Sequence, residues 1–156
     1  NFVDQGIVEL GDKLGPINWQ LAPTKRFDPE EIARFFALLP QEHHGLRLRH
    51  ALEPRHESFR DPVFLDLVRE AGMAVILADS TEYPAFKEAA EASPFLYVRL
   101  QNAQSEIEQG YPEADLDRWA SRAAEWSKSG RDVFAFFING AKERAPAAAM
   151  ATIARL

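Results

Sequence analysis

Short apolar or alternating runs take turns with longer runs of helical spacing along the whole chain. The strand-like runs are Pro16–Leu21, Arg49–Arg55, Met73–Asp79, Phe95–Gln101 and Val133–Asn139. Each is close to the usual strand length. The helix-like runs are Asp4–Leu14, Pro29–Leu39, Pro62–Ala71, Pro84–Ala92, Pro112–Ser129 and Ala145–Arg155. Leu116, Trp119, Ala120 and Ala123 follow the i, i+3, i+4, i+7 rule of a buried helix face. Helices between successive strands predict parallel βαβ units and an α/β fold.

Several boundaries have local causes. Asp28 before Pro29, Glu30 and Glu31 can cap a helix whose first turn suits proline and acids. Asp61-Pro62 repeats the signal, and Gly130 can stop the helix that precedes it. His43, His44 and Gly45 sit between a helix and a strand and read as a solvated loop. No linker or low-complexity tract interrupts the pattern, so a single domain over 1–156 is expected.

Two architectures fit five βα units. An open, flavodoxin-like sheet is complete at this length. A section of a TIM-type (β/α)8 barrel is the other, since a whole barrel needs about 250 residues. In both, reactive groups gather at the C-terminal ends of the strands.

Composition narrows the function classes. The chain has 156 residues, 46% hydrophobic and 27% charged, which suits a folded globular protein. Cysteine is absent, which removes disulfides, thiolate metal ligands and a cysteine nucleophile. A formal net charge of −6 disfavours nucleic acid as a partner. Apolar runs such as Met73–Ala78 are far too short to cross a bilayer, and no export signal is visible, so a cytoplasmic protein without a membrane partner is expected. Phosphate-loop, dinucleotide and HExxH motifs are absent. No metal site is predicted, and no cofactor is identified.

The strand ends are where polarity collects. Side chains alternate along a strand, so parity separates its faces. Leu96, Val98 and Leu100 are expected to face helices, and Tyr97, Arg99 and Gln101 the opposite side. Asp79 shares parity with Val75 and Leu77, Glu53 and Arg55 with Ala51, and Asn139 with Ala135 and Phe137. Asn18 and Gln20 alternate with Ile17 and Trp19. In a barrel these polar faces point inward and converge at the mouth. Arg55 and Arg99 then suit an anion, since guanidinium binds carboxylate or phosphate through paired hydrogen bonds. Glu53 or Asp79 is the candidate base, and His56 a candidate acid, base or ligand. Gln20, Tyr97, Gln101 and Asn139 would orient a small polar or anionic ligand, in a hydrolytic or lyase-type reaction. Ser58 beside His56 does not make a triad. The competing reading is a non-catalytic binding or interaction module in which these residues form a structural ion-pair network.

The same positions carry a family resemblance. Leu14-Gly15-Pro16-Ile17-Asn18-Trp19-Gln20-Leu21-Ala22-Pro23 resembles a Leu-Gly-Pro-x-x-x-Gln-x-Pro-Pro segment. Glu53-Pro54-Arg55-His56-Glu57-Ser58-Phe59 resembles Glu-x-Arg-His-x-Ser-Trp, and Asp79-Ser80 resembles a strand-end Asp. Tyr97-Val98-Arg99-Leu100 resembles the start of Tyr-x-Arg-Leu-His-Gly, and Phe136-Phe137-Ile138-Asn139 resembles Tyr-Phe-Asn-Asn. Together they resemble, in order and over the whole chain, the YecE-like family, domain of unknown function 72. That resemblance implies a (β/α)8-type barrel with no established activity. It also implies about three further βα units before the Leu-Gly-Pro segment. The chain departs from the pattern at Gln101 and Asn102, where the family has His and Gly, which removes a titratable group from the strand end. Ala22 replaces the first Pro, Pro54 an apolar residue, Phe59 the Trp and Ile138 an Asn.

A barrel section would leave edge strands and an inner face bearing Val75, Leu77, Ala135 and Phe137. The expected remedies are a homo-oligomer or an upstream segment that completes the wall.

Overall fold

The computed structural model describes residues 2–3, 5–138 and 140–156. It is an α/β structure whose parallel strands alternate with helices in open sheets. The chain forms two compact units, Asn1–Met73 and Ala74–Leu156.

In the first unit, β1 (Ile17–Gln20) pairs in parallel with β4 (His50–Glu53). Ile17 lies opposite His50 and Gln20 opposite Glu53. Parity then puts Ile17, Trp19, His50 and Leu52 on one face, and Asn18, Gln20, Ala51 and Glu53 on the other. Ile17 packs with Val3 and Leu48, and Trp19 meets the ring of Phe35 edge-on. Phe35 belongs to α1 (Pro29–Ala37), so this face looks toward a helix. Buried His50 is fully satisfied there: it accepts from Trp19 Nε1 at 3.1 Å and bonds Pro40 O at 2.8 Å through its other nitrogen.

The capping signals act as expected. Asp28 accepts from Glu31 N at 3.0 Å, and Asp61 accepts from Val63 N at 2.8 Å ahead of α2 (Pro62–Glu70). The rings of Phe27, Phe59 and Phe64 pack together, which fixes the start of α2 to the loops after β1 and β4. The expected Asp4–Leu14 helix is instead a 3-10 segment, Ile7–Lys13, broken at Gly11. Glycines at 6, 11 and 15 deprive the stretch of helix propensity. The His pair is more ordered than a loop. Glu42–His43 (β2) and Leu46–Arg47 (β3) form a small antiparallel hairpin. His44 and Gly45 supply its two-residue turn with φ of 49° and 76°, the handedness such a turn needs.

In the second unit the expected third strand is divided into β5 (Ala74–Val75) and β6 (Leu77–Asp79). β6, β7 (Leu96–Leu100) and β8 (Val133–Phe137) form a parallel sheet in sequential order. Leu77, Leu96, Val98 and Leu100 form one core with Ala90 of α3 (Lys87–Glu91). Leu116, Trp119 and Trp126 of α4 (Glu113–Lys128) and Ala148 of α5 (Ala145–Ile153) complete it. All three helices therefore cover the same face of this sheet.

That packing corrects the expected inner face. Val75 and Leu77 are buried, and Phe137 packs against the helix-side core. Only Ala135 of the four is exposed. Among the described residues of this unit, the large apolar side chains that do reach solvent are Phe136, and Met150, Ile153 and Leu156 around α5. Both faces of β8 are apolar in sequence, so hydropathy could not tell them apart.

Candidate functional site

Three expected residues meet in the first unit. The C-terminal ends of β1 and β4 place Gln20 and Glu53 side by side in register. Arg55 follows β4 and folds back over them. Its Nε donates to Glu53 Oε1 at 3.0 Å, and its Nη2 lies 2.9 Å from the same oxygen. The same Nη2 donates to Gln20 Oε1 at 2.9 Å. The side chain of Glu53 is 1% exposed and that of Arg55 is 12% exposed. A carboxylate this deep needs its partner, because an uncompensated buried charge is strongly destabilising. Glu53 is thereby engaged by Arg55, which suits a residue that orients a guanidinium better than one that takes up a proton. On the same face, Asn18 Oδ1 is shut off from water without a hydrogen-bond partner among the described residues.

His56 opens the 3-10 turn Glu57–Phe59. Its Nδ1 accepts from Ser58 N at 3.1 Å and lies 2.9 Å from Ser58 Oγ. Ser58 Oγ in turn accepts from Phe27 N at 2.8 Å. The loop after β4 is thus tied to the loop after β1. Ser58 was set aside as a nucleophile in the sequence; its place is that of a fastener, with its oxygen already accepting from the backbone.

The second unit holds the other expected residues, and it separates them. Ala78 lies opposite Arg99, and Arg99 opposite Phe136, so these share one face. Tyr97 is on that face as well, its ring stacked on Phe136 with centroids 4.9 Å apart. Asp79 lies opposite Leu100, on the helix side. The expectation that Asp79 and Arg99 face one pocket is therefore corrected: they project from opposite faces of the same sheet. Gln101 directly follows β7 and is buried. Asn139 lies outside the described residues.

On the helix side, Asp79 belongs to a cluster that the sequence did not suggest. Asn102 hydrogen-bonds the Asp79 carboxylate and also donates its backbone N–H to Tyr111 Oη at 2.8 Å. Burial pushes the Asp79 carboxyl above its ordinary value, while Asn102 and Arg118 pull it down and Asp115 adds to the rise. Burial pushes the Tyr111 phenol up to about 12, opposed by the Asn102 N–H and aided by the Asp79 and Asp115 charges. Asn102 stands beside a strand end in the sequence, which by itself does not point to Asp79. Tyr111 gave no signal, because its role depends on the chain turning back between β7 and α4.

Among the described residues, no group of three or more His, Asp or Glu side chains is placed to hold a metal ion. No helix among them is long and apolar enough to cross a membrane. A groove of about 570 Å³ opens between α4, α5 and β8, and none of the expected site residues lines it.

A family model described as "Protein of unknown function DUF72" matches residues 1–156. The chain belongs to the DUF72 family. The YecE-like resemblance seen in the sequence is this same family. Among solved structures, a DUF72 family protein from Thermotoga maritima is similar at a TM-score of 0.72 and 18% identity. The match covers 99% of this chain and 62% of that one. A DUF72 family protein from Enterococcus faecalis is similar at a TM-score of 0.70 and 15% identity, again over 99% of this chain and 62% of that one. The chain thus spans less than two thirds of these DUF72 relatives. At such identities the likeness shows the fold. No curated protein matches the sequence.

Proposed function

We propose that the ends of β1 and β4 form a binding site for a small oxyanion, a carboxylate or a phosphate, with Arg55 as its recognition group. The observation that carries this reading is the Glu53–Arg55–Gln20 arrangement. A nearly buried guanidinium is held by a fully buried carboxylate and a side-chain amide at strand C-terminal ends. Buried ion pairs contribute little net stability, because desolvation offsets the attraction. What such a pair supplies is a fixed orientation, which anion recognition by arginine requires. Glu53 orients Arg55, and Gln20 completes the frame. In the second unit, Tyr97, Arg99 and Gln101 form a further candidate set for a polar ligand.

The fold reading that accompanies this is a single domain built as a section of TIM-type wall. The sequential order of β6, β7 and β8 and the one-sided helix layer of the second unit support it. Self-association belongs to the same proposal, supported by the exposed apolar side chains of Phe136 and α5.

A second reading has a specific observation in its favour. Arg55 is already paired within the protein, as a purely structural network would be. Calorimetric titration with inorganic phosphate and with acetate separates the two. The binding reading predicts saturable, millimolar or tighter association with either probe. It also predicts a loss of at least about tenfold in Arg55→Lys, which keeps the charge and removes the planar fork. Absence of binding by the intact protein at high millimolar probe would establish the structural network instead.

A further inference from the structure

We infer that Ser58 fixes His56 as its Nε2–H tautomer, making the imidazole a hydrogen-bond donor to the oxyanion. This rests on the binding-site reading above and deepens it.

A backbone N–H only donates, and Ser58 N lies 3.1 Å from His56 Nδ1. That nitrogen must therefore present its lone pair. Ser58 Oγ is 2.9 Å from the same atom. The hydroxyl oxygen is already an acceptor for Phe27 N–H at 2.8 Å, so its own proton is directed to Nδ1. Both neighbours of Nδ1 donate. A neutral imidazole with a bare Nδ1 carries its proton on Nε2. Nε2 makes no hydrogen bond to any other described residue, and the ring is only partly buried.

A general base needs an uncommitted lone pair, and the one lone pair of this ring is occupied. His56 therefore acts as a donor. Arg55, the preceding residue, is also donor-only. Glu53, the acid beside them, is engaged by Arg55. Such a set fits a ligand rich in acceptors, which is the carboxylate or phosphate class. Ser58 is a positioning residue: it acts on the ligand only through His56.

The test reads the tautomer and the ligand separately, on the intact chain. Two-bond nitrogen–proton correlation spectra at neutral pH report which ring nitrogen is protonated, and the His56 signal is assigned by its loss in His56→Gln. The expected result is the Nε2–H pattern for His56, retained in Ser58→Ala because the backbone N–H at position 58 still donates to Nδ1. Addition of inorganic phosphate is expected to shift the His56 Nε2–H resonance together with Arg55 Nε–H. Two variants guard against a folding artefact. His56→Asn keeps an acceptor for Ser58 N–H and removes the distal donor; it should fold and bind phosphate about tenfold more weakly. His56→Gln places an amide nitrogen near the Nε2 position and should retain most of the affinity. An Nδ1–H pattern would overturn the inference while leaving the oxyanion site standing. So would phosphate that shifts Arg55 and not His56, or undiminished binding by His56→Asn. Phosphate that moves neither residue would overturn the site itself, and this inference with it.

Discussion

Asp79 is ionised at neutral pH only against the cost of its burial. Its folded-state carboxyl titrates above the ordinary value, so between the unfolded and folded values the native state holds the extra proton. Stability on this account is greater below that window and falls as pH rises through it. Asp79→Asn keeps a partner for Asn102 and removes the charge. It is expected to raise stability at pH 7 by roughly 0.5 kcal/mol, a small gain because the side chain is partly solvated. The gain should vanish as the pH is lowered through the acid range, as measured by urea unfolding at several pH values. Glu53 stands at the other extreme. Arg55→Ala removes the guanidinium from a carboxylate that is 1% exposed and is expected to cost about 3 kcal/mol in the same measurement. Glu53, Arg55 and Gln20 were legible in the sequence, since their strand ends are polar and the Glu-x-Arg spacing lets the arginine fold back. The facing of Asp79 was not. A strand buried on both sides reads as a continuous apolar run, and parity without a face label leaves inside and outside interchangeable. Asn102 and Tyr111 were hidden for another reason: their contact depends on how the segment between β7 and α4 returns to the sheet.

At the scale of elements, the strands and longer helices followed from capping and periodicity, and the deviations occur where glycine or register intervenes. The segment after β8 is one such place. Gly140 adopts a φ of 74°, and a Cβ there would lie 2.2 Å from Ala103 O and 2.7 Å from Ala103 N. Both obstacles are backbone atoms, so no rotamer change relieves them. This close approach carries the bridge between residues 103 and 140 and the Ala141 N–H bond to Ala103 O at 2.9 Å. Gly140→Ala is therefore expected to destabilise by more than about 2 kcal/mol. Gly130 is the control. Its φ is also positive, at 80°, but nothing lies within 4 Å of its Cβ position. Gly130→Ala should cost only the left-handed strain, about 1 kcal/mol. Equal effects of the two substitutions would show that the contact to Ala103 carries no weight. The 3-10 segment Ile7–Lys13 and the β2–β3 hairpin were not legible as such, because a broken helix and a two-residue ladder lie below the resolution of periodicity.

For the molecule as a whole, β8 stands at one edge of its sheet, with exposed Phe136 on it and Met150, Ile153 and Leu156 around α5. Edge strands and clustered apolar side chains recruit partners. A homodimer or larger assembly is the expected state, checked by native mass measurement across a dilution series; a stable monomer of 17.6 kDa at low micromolar concentration would contradict it. The oxyanion site at the ends of β1 and β4 is tested most directly by a high-resolution crystal structure grown with selenate, whose anomalous signal locates the anion. The account predicts a selenate within hydrogen-bond distance of Arg55, with Glu53 still paired to the guanidinium behind it. An Arg55 side chain enclosed by protein groups alone, with selenate bound elsewhere or nowhere, would contradict it.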